Sequence, residues 1–321
     1  MRKALFVGIN EYAEISHLGG CENDAMRMSE VLSRHADGRP NFDGKNLIHR
    51  ELMPVSKVVL EQEIKSLFGG SADVALLFFA GHGYFDENID EGMIIPHDYS
   101  SRENNGVRIS DIMLWASKAT NVKNKIIILD CCQAGAAGQI RNLRGGETVL
   151  ADGTTILTAC QRDEYAQEQD GQGVFTALML EALYGAGANI LGHVTPGSLY
   201  SFVDQALGAW EQRPVFKTNI SRFVVLREVG PRISLETLRR LPEWFHSGSS
   251  EYPLDPDYEP DSDSPDEDKV IIFKQLQACN RHGLVEPVNA EHMYYAAMNS
   301  TGCRLTALGA YYRKLAEKQR F

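Results

Sequence analysis

No stretch of the 321-residue chain approaches the roughly 18–20 consecutive apolar residues of a membrane-spanning helix, so none is expected. The N-terminus, MRKALFVGIN, has a short basic start, but its apolar run stops at Asn10 and Glu11. That is too short for the apolar region of a signal peptide and reads as a first core strand. Metal-type cysteine spacing is also missing. Cys21, Cys131, Cys132, Cys160, Cys279 and Cys303 include no C-x-x-C pair, which suggests neither a zinc cage nor a disulfide framework and fits a reducing, cytoplasmic location. Basic charge is in deficit: 43 acidic against 32 basic side chains give a formal net charge of −11, so no global field invites nucleic acid or anionic membrane. The acids of FDENIDEG do not follow an EF-hand spacing, and no metal ligand set is expected. No internal repeat is visible. What the chain does have is 43% hydrophobic residues, enough for a full-sized core and one small extra domain.

Short apolar runs at residues 4–9, 46–51, 74–80, 125–130, 154–158 and 223–226 read as buried strands. Helical patterns at 23–35, 55–68, 109–119, 173–185 and 197–210 alternate with them. Continuous apolar strands alternating with amphipathic helices predict an α/β fold, a mainly parallel six-stranded sheet with helices on both faces. Ligands in such sheets gather at the C-terminal strand ends. Two of those ends are chemically loaded: FFAGHG, ending around His82, and ILDCC, with Cys131 and Cys132.

Composition changes after Glu228. The expected organisation is a main domain over 1–228, a helix plus acidic, proline-rich linker over 229–268, and a small module over 269–321. SEYPLDPDYEPDSDSPDED has little apolar content and is expected to be a linker or poorly ordered loop. In the tail, Leu305, Leu308, Tyr312 and Leu315 fall on one helical stripe, and Gly309 would allow close packing.

A catalytic cysteine needs a base to form its thiolate, amide groups for the oxyanion, and a rigid strand end to hold it. His82 lies between Gly81 and Gly83, and the Gly83 N–H is a candidate oxyanion donor. Cys132 follows His82 by 50 residues, a spacing known from caspases. Taken singly, such a histidine is more often a turn residue and such a cysteine a small core residue.

On these motifs the sequence resembles the caspase/metacaspase clan of cysteine peptidases (family C14), in particular its bacterial metacaspase-like branch. KALFVGIN-Y is similar to the opening strand, GCENDA to the turn after it, FFAGHG to the histidine motif, and LDCCQAG to D-S-C-H-S-G; TAC--DEYAQE---GVFTALMLEAL and RPVF resemble the later half. The likeness spans roughly residues 3–226 and implies a caspase-haemoglobinase-like fold. Laid on the motif, Asp130 takes the Asp place, Cys131 the Ser place and Cys132 the nucleophile place. Gln133-Ala134 replaces the usual His-Ser, which alters local polar support. TACQRDE around Cys160 superficially resembles the caspase Q-A-C-R-G, but it lacks the glycine and lies too far from His82, so Cys160 is read as structural.

The resemblance implies a Cys-His dyad and protein substrates. Metacaspases line the pocket for the residue before the cleaved bond with acids and cut after Arg or Lys. Here Asp24 and Asp130 stand in those places; Asp24 has a second reading as the N-cap of the helix that NDAMRMSEVL opens. The loop AAGQIRNLRGGETVLADG offers Arg141 and Arg144 as self-cleavage sites, or is an ordinary basic loop. No cofactor is expected; calcium dependence, which occurs among metacaspases, is left open. The tail CRLTALGAYYRKLAEK looks like the end of a winged helix, implying a regulatory protein partner in preference to DNA, since Arg304, Arg313, Lys314, Lys318 and Arg320 are few. Bacterial proteins of this kind act in antiviral defence or cell death. The competing reading is a DNA- or partner-binding scaffold to which the peptidase domain is coupled.

Overall fold

The computed structural model describes residues 1–48, 54–131, 150–159, 168–169, 172–207 and 213–321. Two compact units emerge: residues 1–188 with 193–230, and residues 189–192 with 231–321.

The first unit is built on six strands: β1 (Arg2–Gly8), β2 (Asp43–Ile48), β3 (Ala72–Ala80), β4 (Val122–Asp130), β5 (Thr154–Thr158) and β6 (Val215–Asn219). Their order is β6-β5-β4-β3-β1-β2, and every neighbouring pair is parallel except the edge pair β5–β6. The predicted mainly parallel sheet is thus present. Successive side chains of a strand point to opposite faces, so an unbroken apolar run supplies two cores at once. Leu5, Val7, Leu77, Phe79, Ile127 and Leu129 pack with Leu60 and Ile64 of α2 (Lys57–Phe68) and Ile112 of α3 (Ile109–Lys118). Phe6, Leu76, Phe78, Ile126 and Ile128 pack on the other face with α1 (Cys21–Ser33), α4 (Val174–Glu181) and α5 (Pro196–Leu207).

The sixth strand is displaced from its expected position. Residues 223–226 are not a strand, and VFKTN is. β6 is an edge strand that stays partly exposed along its length, so it has no apolar run to mark it. Residues 225–226 serve differently: their carbonyls accept hydrogen bonds from the Arg2 guanidinium, which also stacks on Phe42.

The second unit has a three-stranded antiparallel sheet, with Gly302–Leu305 between Glu251–Pro253 and Val285–Val288. Helices Glu267–Arg281, Met293–Met298 and Ala307–Glu317 pack with it. The organisation differs from the expected linker and tail. Residues 231–268 belong to the same core as the tail: Leu238, Leu241, Phe245, Leu254 and Tyr258 are buried with Phe273, Leu276 and Cys279. Two well-placed apolar residues are enough to fix the acidic stretch, Leu254 and Tyr258, while Lys269 pairs with Asp255 at 2.7 Å and the Asp266 side chain caps the following helix. Cys279 and Cys303 are core residues here, and burial pushes both thiols up to about 12, which leaves them unreactive.

The helical stripe of the tail also shifts. Leu308 is exposed, and the buried positions are Leu305, Gly309, Tyr312 and Ala316. A Cβ on Gly309 would lie 1.9 Å from the Leu284 carbonyl oxygen. Gly309→Ala is therefore expected to destabilise this unit by about 1–3 kcal/mol through overpacking, read as a lowered denaturation midpoint of its tryptophan signal from Trp244.

Candidate active site

Strand register brings the two loaded strand ends side by side. β3 and β4 pair Phe79 with Leu129 and Ala80 with Asp130, and the Gly81 N–H donates to the Asp130 carbonyl at 3.3 Å. His82 is the second residue past the end of β3; Cys132 is the second residue past the end of β4 in sequence. Cys132, Arg141, Arg144 and Cys160 lie outside the described residues.

His82 is held from three directions. Its backbone N–H donates to the Tyr12 hydroxyl at 2.7 Å, and the two rings lie 4.8 Å apart in a tilted pair. Its Nε2 lies 2.9 Å from the Ser16 carbonyl oxygen. A carbonyl can only accept, so Nε2 carries the proton and Nδ1 is the ring's acceptor in the neutral form. The close approach at Gly81 explains why that residue is glycine: a Cβ there would meet the Tyr12 oxygen at 2.7 Å and the Phe79 ring at 2.8 Å.

Gly83 begins a hairpin in which Gly83–Asp86 pairs with Glu91–Ile94. The Ile95 N–H donates to the His82 carbonyl at 3.0 Å. In an antiparallel ladder that bond makes Gly83 and Ile94 a pair without mutual hydrogen bonds, so the Gly83 N–H points away from its hairpin partner.

Asp24 and Asp130 come together. The Asp24 Oδ2 accepts from the Gly173 N–H at 2.9 Å, and the Asp130 Oδ2 accepts from the Thr176 hydroxyl at 2.6 Å. A Cβ on Gly173 would stand 2.6 Å from the Asp130 Oδ2 and 3.1 Å from the Asp24 Oδ2, so both carboxylates converge on this glycine. They are 1% and 7% exposed. Asp24 is not a helix cap: α1 begins at Cys21 with Gly20 before it, and Asp24 lies inside the helix, with its own N–H donating to Gly20. Cys131 is buried in the core shared with α2 and α3.

Tyr12, Ser16, Gly173 and Thr176 contact the candidate residues, and residue type and spacing do not single them out. Tyr12 and the GVFT segment lie within stretches similar to the metacaspase pattern, and Thr176 lies one helical turn from Gly173. The Ser16 contribution is a backbone carbonyl, for which no residue type is a signal. Among the described residues, no cluster of His, Cys, Asp and Glu could hold a metal ion.

The parallel sheet, the helices on both faces and the loaded ends of β3 and β4 define a caspase-like α/β fold. Protein GSU0716 from Geobacter sulfurreducens superposes with a TM-score of 0.52 over 72% of this chain and 98% of that one, at 16% identity. Caspase-1 from Spodoptera frugiperda superposes with a TM-score of 0.50 over 71% and 90%, also at 16% identity. The sequence model of the caspase domain, peptidase family C14, matches residues 1–224, and the chain belongs to this family of cysteine peptidases. Metacaspase-3 of Trypanosoma cruzi (strain CL Brener) is 25% identical over 228 residues, 59% of this chain and 58% of that protein. Metacaspase-1 of Pyricularia oryzae is 27% identical over 197 residues, 55% and 48% of the two chains. The chain thus spans about half the length of the curated relatives it matches.

Proposed function

We propose that the chain is a cysteine endopeptidase that cleaves proteins after Arg or Lys by a Cys132–His82 dyad. The convergence of the Asp24 and Asp130 carboxylates on Gly173, next to the end of the strand that leads into Cys132, carries this reading. Two buried carboxylates at one glycine recognise a guanidinium or ammonium through charge-assisted hydrogen bonds. Burial of Cys131 in the core supports Cys132 as the nucleophile, because it leaves Cys131 out of reach of a substrate.

The chemistry follows in order. His82 Nδ1 takes the thiol proton of Cys132, with Nε2–H anchored on the Ser16 carbonyl. The thiolate attacks the scissile carbonyl carbon, and the Gly83 N–H, with that of Cys132, stabilises the oxyanion. The imidazolium returns its proton to the amine as the C–N bond breaks. Water, deprotonated by His82, then hydrolyses the thioester and regenerates the thiol. Cleavage profiling of the wild type beside Cys132→Ala on a diverse peptide library tests the reading: cuts after Arg and Lys that vanish in the variant support it, and cuts after Asp overturn it.

Arg141 and Arg144 extend the reading to self-processing. Concentrated active enzyme should split after Arg141 or Arg144, giving a new N-terminus at Asn142 or Gly145, while Cys132→Ala stays intact. Mass spectrometry of the fragments decides; an unbroken chain in a preparation that cleaves arginine peptides refutes it. The second unit is proposed as a winged-helix-like regulatory module for a protein partner, and the chain as a regulated effector of bacterial antiviral defence or cell death, with a cytoplasmic site of action. These rest on the resemblance. Under the scaffold alternative, DNA affinity would fall steeply with salt; no binding at low salt rejects it.

A further inference from the structure

A cleft of about 420 Å³ opens beside His82 and Gly83, lined further by Tyr84, Asp86, Asn88, Ile95, Tyr99 and Asn104. It lies on a different side of the sheet from the acid pair. Ile95 and Tyr99 belong to the core of α2 and α3, whereas Asp24 sits on α1 and Gly173 at the start of α4, both on the opposite face. His82 stands at the strand ends between the two. If the residue before the cleaved bond occupies the acid pair, its partner across the bond must leave past His82, the group that protonates it. That path leads into the cleft.

The lining is mixed, with isoleucine and tyrosine side chains beside polar groups that are ordered by their own bonds. The Asp86 Oδ1 accepts from the Asn88 backbone N–H at 2.9 Å and its side-chain amide at 3.1 Å. Its Oδ2 accepts from the Asn104 amide at 2.5 Å, and Asn104 is itself fixed in a left-handed turn conformation at φ 48°. These bonds, the Asn88 backbone N–H first, hold the Asp86 carboxyl below the usual carboxylate range, so it stays an anion at neutral pH. Among the described residues, no lysine or arginine lines the cleft to offset it.

We infer that this cleft is the subsite for the leaving side of the substrate, and that Asp86 makes it select a basic or neutral residue after the cleaved bond and reject an acidic one. The inference rests on the peptidase reading above for the direction in which the chain crosses the site.

Binding tests it without catalysis. Lys-Gly-Gly-amide and Glu-Gly-Gly-amide are titrated into the Cys132→Ala protein while the side-chain amides of Asn88 and Asn104 and the Ile95 methyl are followed by NMR. The Lys peptide should shift all three and bind at least about tenfold more tightly than the Glu peptide. Asp86→Asn should bring the two within about twofold. Tyr84→Ala, a change on the exposed rim that spares the Asp86 bonds, should weaken both peptides together. Absence of shifts with the Lys peptide, or equal binding of the Glu peptide, overturns the proposal. Turnover of wild type on peptides differing only after the cleaved bond separates the two readings. Cleavage after Arg with no leaving-side preference sinks the cleft and leaves the peptidase reading standing. Cleft binding of the Lys peptide without any cleavage after Arg or Lys does the reverse.

Discussion

Cys132→Ala and His82→Ala should each lower peptide cleavage by a factor on the order of 10⁴–10⁶ while the protein remains folded, because the two groups act as one unit in forming the thiolate. Cys131→Ser should retain much of the activity. Cys131 is buried in the core with Leu129 and takes the place where the related motif carries serine, so the exchange introduces a similar volume within the core. Rates are measured on an arginine peptide, with circular dichroism as the control for folding. Loss of activity in Cys131→Ser together with retention in Cys132→Ala would show that the pair is laid on the motif one residue out. The role of His82 has a separate signature. Its Nε2–H is fixed on a backbone carbonyl, which no side-chain replacement can remove, so the variants that perturb its setting are at Tyr12. Tyr12→Phe deletes the hydroxyl that receives the His82 N–H and leaves the ring contact.

The second large effect is at the acid pair. Asp24→Ala or Asp130→Ala should reduce kcat/KM after Arg about 10- to 100-fold, the equivalent of one buried charge-assisted contact worth roughly 1.5–3 kcal/mol. Both aspartates also hold the fold, since Asp24 accepts from Gly173 and Asp130 from Thr176. Asp24→Asn and Asp130→Asn therefore belong in the same series: each keeps an accepting oxygen and removes the charge. A drop for arginine peptides that the asparagine variants share, with a smaller change for a citrulline peptide of the same shape, identifies recognition of charge. Equal losses for arginine and citrulline would reduce the pair to scaffolding. Gly173→Ala reports on the same place from the other side, since its methyl would press on both carboxylates.

The cores explain why the fold was legible. Runs such as VALLFFA and KIIIL can be buried on both faces only by a strand between two helical layers, and alternating helices supply those layers. β6 was not legible for the converse reason, as an edge strand needs no such run. The acidic segment before Lys269 misled in the same manner: its mean composition is that of a linker, but two side chains, Leu254 and Tyr258, hold it in a core.

Residue type and spacing by themselves determined the alternating α/β plan and the two loaded strand ends with His82 and the Cys131-Cys132 pair; the resemblance to metacaspases added Cys132 as the nucleophile and Asp24 and Asp130 as pocket acids. Local sequence carries these because strand patterning and side-chain chemistry are properties of short segments. Only the tertiary structure decided that Asp24, 106 residues from Asp130 along the chain, shares a glycine with it, and that Gly173 and Thr176 complete the pair. It also decided that a carbonyl at Ser16 sets the tautomer of His82 and that the Asp86 cleft opens beside it. The acid pair and the Ser16–His82 contact are meetings of segments far apart in the chain, and packing alone brings such groups together.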